Sequence, residues 1–331
     1  MSKQQHTMES ILNLGHNFMA SRVFLTGAEL DLFTLLAPKP LSIDEIVAEK
    51  KADQRGMTIL LDALSALGFL IKNDNKYQTE MSAAHLLTSN SPDSVLAVAL
   101  HMNTLWQTWS RLTDVVLGKP PAQMKEQGAL AMDHIKAFIG AMHMNALKTA
   151  PEVVSAVKPG RARRLIDVGG GSGSYILAFL NAVPDMKATL FDLPEVIEMA
   201  RERIQTAGMA DRVTLMAGDF YRDELPSGND LALLSAIIHQ NSLVQNEILY
   251  RKIFCALDSG GRIIVRDHVM SPDRTQPLEG ALFAVNMLAG TPQGGTYTFD
   301  EIKEGLSAAG FTPIRLIRTK GMSSLVEGFK S

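Results

Sequence analysis

With 331 residues the chain is long enough for two domains. Hydrophobic residues make up 46% and charged residues 20%, the balance of a compact protein, and the net charge of -3 excludes a global basic field that would hold nucleic acid. A single cysteine, Cys255, excludes an intrachain disulfide framework and a thiol-rich metal site.

The first residues are polar and carry no signal-peptide pattern, and no apolar run reaches the length of a membrane span. A cytoplasmic protein without a membrane partner is expected. Residues 8–36 place Ile11, Leu14, Phe18, Val23, Phe24, Leu30, Leu32 and Phe33 at helical spacing until Pro38 and Pro40 end the stretch. Ser42 with Glu45 three residues on predicts a capped helix start. A second helix is expected from Gly56 to Leu67, stopped by Gly68. Phe69-Leu70-Ile71 and Lys76-Tyr77-Gln78 flank Asn73-Asp74-Asn75, a short hairpin signal.

Helix, helix and hairpin in this order predict a winged-helix-like module over about 8–90. As a DNA reader it would need cations on its second helix and wing. That helix offers Arg55 and then Met57, Thr58, Ile59, Leu60, Leu61 and Asp62; the wing offers only Lys72 and Lys76. The pattern predicts instead a packing module that buries an apolar surface against another subunit.

Two further helices, 94–117 and 129–157, are separated by Gly118-Lys119-Pro120-Pro121. The second is rich in Met and His: Met132, His134, Phe138, Met142, His143 and Met144. It reads either as a core helix or as one that closes a site from above. His134 and His143 are not four residues apart, so no helical metal pair is inferred. Lys158-Pro159-Gly160 marks a boundary between a mainly helical domain, 1–158, and a second domain, 159–331.

The second domain opens with Leu165-Ile166-Asp167-Val168-Gly169-Gly170-Gly171-Ser172-Gly173-Ser174-Tyr175. An apolar run, a carboxylate, glycines and a helical pattern predict a buried parallel strand, a tight turn and a helix N-terminus. Glycine permits positive φ and close approach of a ligand to the main chain, and the helix adds unpaired N–H groups. Strand 188–191 ends in Asp192, about 20 residues beyond the turn, where an acid that binds ribose belongs. Strand 212–217 ends in Gly218-Asp219-Phe220, an acid beside a ring suited to an adenine edge and face. A nucleoside ligand follows. Asp167, two residues before the first glycine, would repel a pyrophosphate and suit an ammonium, and no lysine follows the glycines. S-adenosylmethionine is favoured over a dinucleotide.

Helix 194–207, a strand from Asp230 to Ile238, helix 243–257 and a strand from Arg262 to Val265 continue the alternation, which predicts an α/β fold with a doubly wound, parallel, Rossmann-like sheet. Phe311 to Arg318 and Met322 to Phe329 read as an antiparallel hairpin on its edge, for seven strands in all. Asp167, Asp192, Asp219, His239 and Asp267 all fall at carboxyl ends of strands, where such folds bind ligands. His239 is suited to take a proton from a phenol-like hydroxyl, with Asp267 to orient it; His268 is a rival base. Phe283, Asn286, Met287, Met142 and Trp106 offer walls for an aromatic or polycyclic acceptor.

Asp167-Val168-Gly169-Gly170-Gly171-Ser172-Gly173, Phe191-Asp192-Leu193-Pro194, Gly218-Asp219-Phe220, His239 and Ala309-Gly310-Phe311 together resemble the S-adenosylmethionine-dependent O-methyltransferases of the plant caffeate and bacterial small-molecule type. The resemblance covers nearly the whole chain. It implies that Gly169 and Asp167 hold the methionine part, Asp192 the ribose, and Asp219 with Phe220 the adenine; Gly171, Gly173 and Leu193 are counted with the cofactor positions. It also implies His239 as general base with Asp267 as partner, and a homodimer formed through the N-terminal helices; the sequence shows no carboxylate cluster for a metal, and none is expected. The family pattern His-Asp-Trp is His239-Gln240-Asn241 here. A lysine often found four residues before the base is Ser235, counted here with the cofactor positions, and a second catalytic Glu has Thr296 as its nearest match. Methylation of carbon or nitrogen, or a winged-helix regulator that binds the cofactor without catalysis, are the other readings of the same pattern.

Overall fold

The computed structural model describes residues 6–121, 129–322 and 324–331; side chains at 129–134, 136 and 137 also lie outside the described set, which removes Met132 and His134 from consideration. By contacts the chain forms two units: one runs to Trp106 and includes the first part of the long helix through Ala141, and the other comprises Gln107 onward and everything from Met142.

The first unit begins with α1 (Met8–Glu29), which a Thr7–Ser10 capping box starts. The single helix expected over 8–36 is two, because Asp31 adopts left-handed backbone (φ 48) and α2 (Leu32–Leu36) starts after it. The short β1 (Leu41–Ser42) leads into α3 (Ile43–Lys50), and the expected capping box of Ser42 and Glu45 is formed. Next come α4 (Gln54–Ala66), β2 (Leu70–Asn73), β3 (Lys76–Thr79) and α5 (Met81–Leu87). The strands form one antiparallel sheet in the order β1-β3-β2. Leu32, Phe33, Leu36, Ile46, Leu61 and Leu64 are fully buried in its core. Most of α1 stays outside that core: Ile11, Leu14 and Phe18 are 58%, 75% and 53% exposed.

The helix expected over 94–117 is broken into α6 (Leu96–Trp109) and α7 (Leu112–Val116), and α8 (Ala129–Val157) follows. The second unit then alternates as β4 (Arg164–Val168), α9 (Ser174–Ala182), β5 (Lys187–Asp192), α10 (Pro194–Thr206), β6 (Val213–Ala217), β7 (Asn229–Ser235), α11 (Leu243–Ala256) and β8 (Leu257–Asp267). It closes with β9 (Val269–Met270), α12 (Leu278–Gly290), β10 (Tyr297–Thr298), α13 (Phe299–Ala308), β11 (Ile314–Arg318) and β12 (Ser324–Phe329). β9 and β10 pair in a small parallel ladder.

The main sheet has seven strands in the order β11-β12-β8-β7-β4-β5-β6. β6, β5, β4, β7 and β8 are parallel, and β12 and β11 are antiparallel, as the sequence predicts. Helices cover both faces, so β4 and β7 read as continuous apolar runs. Ile166, Val168, Ala232, Leu234, Ile263 and Val265 pack on the face covered by α11 and α13. Leu165, Leu231, Leu233 and Ile264 pack on the other, against α8, α9 and α10. Truncating one of these leucines to alanine would cost about 2–5 kcal/mol. Alternation turns Asp167 to the α9 face and Asp267 to the α11 face.

β7 is shorter than expected. It ends at Ser235, Ala236 takes φ 59, and a 3-10 turn, Ile238–Gln240, carries His239. His239 therefore sits beyond the strand rather than at its end.

Candidate active site

The Gly-rich turn has the conformation its composition demands. Gly169, Gly171 and Gly173 have φ of 70, 53 and 76, which L side chains rarely adopt. A Cβ on Gly169 would lie 2.5 Å from Ile237 Cδ1 and 3.6 Å from Phe220 Cε1. The first glycine therefore brings the β6 loop and the segment after β7 against one another. Gly170 has no room either, with Asp167 Cγ 3.1 Å from its Cβ position.

Asp167 is buried, and neither carboxylate oxygen has a hydrogen-bond partner. Burial, and then the nearby Asp192, push its carboxyl up to about 8. An unpaired buried carboxyl at a ligand turn is costly unless a cation meets it. Asp192 accepts from the Gly171 N–H at 2.7 Å and from the Leu193 N–H at 2.8 Å. Its carboxyl is also raised, chiefly by burial, against the lowering effect of those N–H groups. Leu193 is exposed where it precedes α10. Asp219 lies in the loop after β6, where it accepts from the Tyr221 N–H at 2.9 Å while its own N–H donates to Asp223. Ser235 ends β7 with its hydroxyl accepting from Arg266 at 3.2 Å.

Two serines and a histidine join the turn that motif reading passes over. Ser172 and Ser174 are buried with their hydroxyls 2.7 Å apart, and His143 Nδ1 of α8 is 2.7 Å from Ser174 Oγ. The helical Met/His stripe was the only sequence signal for that contact. Thr149, six residues beyond His143 on α8, meets Tyr175 Oη at 2.9 Å.

His239 Nδ1 lies 3.0 and 2.9 Å from the two oxygens of Asp267, which is buried and also accepts from the His268 N–H. That contact makes Nδ1 the protonated nitrogen and leaves Nε2 as the acceptor. The Phe283 ring stands between the two histidines, edge-on to His239 at 4.8 Å and tilted over His268 at 5.0 Å. Burial pushes the His268 imidazole down, and its Nδ1 has no partner. On α12, Asn286 accepts from Trp109 Nε1 at 2.7 Å, and Met287 is buried. Met142 belongs to the same unit, whereas Trp106 belongs to the first, with Arg22 over its ring at 5.6 Å. Thr296 is buried, and its carbonyl accepts from Arg274, which also pairs with Glu301. Among the described residues no cluster of His, Cys, Asp and Glu is placed to hold a metal, and no helix is long and apolar enough to cross a membrane.

A seven-stranded sheet ending in an antiparallel hairpin, with a glycine turn after β4, the first strand of that sheet in chain order, defines the methyltransferase class of α/β fold. A profile of the O-methyltransferase domain matches residues 126–312, and one of the O-methyltransferase dimerisation domain matches residues 12–89. The chain is 31% identical to a 3-hydroxy-5-methyl-1-naphthoate 3-O-methyltransferase of Streptomyces sahachiroi, over 97% of this chain and 95% of that one. It is 33% identical to the tetracenomycin polyketide synthesis 8-O-methyl transferase of Streptomyces glaucescens, over 97% and 96%. Among solved structures, human N-acetylserotonin methyltransferase in complex with SAM superposes with a TM-score of 0.82 at 25% identity, covering 100% of this chain and 99% of that chain. The chain belongs to the O-methyltransferase family and is a methyltransferase.

Proposed function

We propose that this enzyme methylates a hydroxyl of an aromatic or polycyclic small molecule, with S-adenosylmethionine as methyl donor and His239 as general base. The observation that carries the reading is the His239–Asp267 pair beside Phe283, on the turn next to the glycine cradle. Naphthoate and polyketide appear in the names of the two Streptomyces relatives, which supports a fused-ring acceptor.

The residues of the turn fit the proposed donor. Asp167 offers an unpaired buried carboxyl to the ammonium of its methionine moiety. The positive-φ glycines let the moiety lie against the main chain, and Asp192 and Leu193 edge the ribose position. Asp219 and Phe220 edge the adenine position. Ser235, counted with the cofactor positions, ends β7 with its hydroxyl held by Arg266. When bound, S-adenosylmethionine supplies an electrophilic methyl group on its sulfonium.

The chain's own contribution is alignment and proton removal. Holding acceptor and methyl in line is worth roughly 7–11 kcal/mol of barrier. His239 Nε2 takes the hydroxyl proton, and Asp267 holds the tautomer and stabilises the imidazolium, an effect of about 10²–10⁴-fold. Phe283 and Met287 offer apolar surface to a flat acceptor, and Asn286, fixed by Trp109, offers a polar edge. The domain division at 158/159 places this chemistry in the second domain, with 1–158 as a homodimerisation domain in a cytoplasmic protein. Incubation with methyl-labelled S-adenosylmethionine and a panel of hydroxynaphthoates tests the reading. Labelled methyl ether and S-adenosylhomocysteine are expected; label on carbon or nitrogen only would refute O-methylation of this acceptor class.

A further inference from the structure

We propose that Asn241 is a positioning residue that locks the turn of His239 to the loop of Asp219 and Phe220, so that the proposed adenine edge and the proposed base share one hydrogen-bonded brace. The inference rests on the functional reading above for the meaning of the two ends, but the brace itself rests on contacts.

Asn241 is fully buried, a place where an unpaired amide would be destabilising. Every polar group it has is used. Its Oδ1 accepts from Tyr221 Oη at 2.5 Å, and its Nδ2 donates to Asn246 Oδ1 at 2.9 Å. Its carbonyl accepts from the Tyr297 hydroxyl, and its N–H donates to the Ile238 carbonyl at 3.3 Å. Asn246, also buried, donates to that same Ile238 carbonyl at 2.9 Å. The turn carrying His239 is only three residues long and follows the positive φ of Ala236. Its own 3-10 bonds are few, and the bonds from Tyr221, Asn246 and Tyr297 tie it to the rest of the domain.

The other end of the brace is equally fixed. Tyr221 follows Phe220, and their rings are 4.5 Å apart. Lys252 donates to the Phe220 carbonyl at 3.1 Å and to the Asp223 carbonyl at 2.8 Å. Asn246 and Lys252 both belong to α11, so one helix grips the loop and the turn together. From the far side, Gly295 N–H donates to the His239 carbonyl at 2.8 Å. The Tyr221 hydroxyl carries the hydrogen bond from the loop to Asn241, and the Gln240 side chain also bonds it.

Tyr221 is half exposed, so Tyr221→Phe removes the link and leaves the core intact. Asn241→Ala removes the hub, and Tyr221→Phe alone carries the test if that variant does not fold. Each is compared with the parent by kcat at saturating substrates, calorimetric affinity for S-adenosylhomocysteine, melting temperature, and the NMR titration of the His239 imidazole, assigned with His239→Gln. The groups that face this imidazole are Asp267, His268 and Phe283. In Tyr221→Phe, kcat is expected to fall about 2–10-fold. The His239 midpoint is expected to move by about 0.3 pH unit or more as the pairing with Asp267 loosens. The double variant is expected to be no worse than Asn241→Ala, because the Tyr221 hydroxyl acts on the turn through Asn241. An unmoved midpoint in Tyr221→Phe, or effects that multiply in the double variant, overturns the brace. The NMR readout stands whether or not His239 is the base: a midpoint that moves, with no loss of turnover in His239→Gln, would leave the brace and remove the base.

Discussion

His239 Nδ1 faces both carboxylate oxygens of Asp267 at 3.0 and 2.9 Å, from the turn beyond β7 to the end of the neighbouring β8. The carboxylate is buried and the imidazole nearly so, which excludes competing water from Nδ1. The geometry selects one tautomer and aims Nε2 away from Asp267. Asp267→Asn would present an N–H to Nδ1 and favour the opposite tautomer. Turnover is expected to fall about 10²–10⁴-fold, with S-adenosylhomocysteine affinity within about twofold of the parent, a change worth less than roughly 0.5 kcal/mol. Steady-state kinetics and calorimetry check both.

Asp167 should make donor binding proton-linked. Its carboxyl is pushed up to about 8, so at pH 7 it is mostly protonated in the ligand-free protein. Pairing with an ammonium draws it into the ionised form and releases a proton. Calorimetry of S-adenosylhomocysteine in buffers of different ionisation enthalpy should show proton release near pH 7 that fades above about pH 9.

The same shift has a sign for stability. A carboxyl raised on folding binds its proton more tightly in the native state, so ligand-free stability falls as pH rises from the ordinary carboxyl value of 3.8 toward about 8. Asp167→Asn removes that dependence. Melting temperatures of parent and variant, measured from pH 5 to 8, should diverge in favour of the variant as pH rises. Equal slopes would contradict a raised Asp167.

Gly169→Ala places a Cβ 2.5 Å from Ile237 at a φ of 70. The strain is expected to cost about 1–3 kcal/mol and to lower the melting temperature by several degrees. Because Ile237 precedes the turn of His239, turnover should fall with it.

The apolar stripe of α1 predicts a self-association surface. Ile11, Leu14 and Phe18 lie three and four residues apart and are all exposed. Leu14→Glu with Phe18→Glu should turn a dimer in sedimentation velocity into a folded monomer, its circular dichroism unchanged.

Where burial and backbone conformation follow from local composition, sequence and structure agree. The continuous apolar runs of β4 and β7 could be read because both faces of those strands are covered. The glycine turn could be read because only glycine fits three positive-φ positions in five residues. The break at Asp31 could not, since the helical pattern continues across it and only the left-handed backbone ends the helix. The displacement of His239 from strand to 3-10 turn was hidden for the same reason: Ala236 bears no compositional mark of its φ of 59. The contacts of Asn241 reach 20 and 56 residues along the chain, and those of His143 reach 31. Pairings of that range depend on the tertiary fold and leave no local pattern. Ser172 and Ser174 read as turn residues until the histidine that meets them is seen.

The most direct test of the account is His239→Ala, with methyl transfer measured in a single turnover and S-adenosylhomocysteine affinity measured on the same preparation. The account predicts a transfer rate lower by about 10²–10⁴-fold with nearly unchanged affinity. Transfer to the hydroxyl at the parent rate would contradict it.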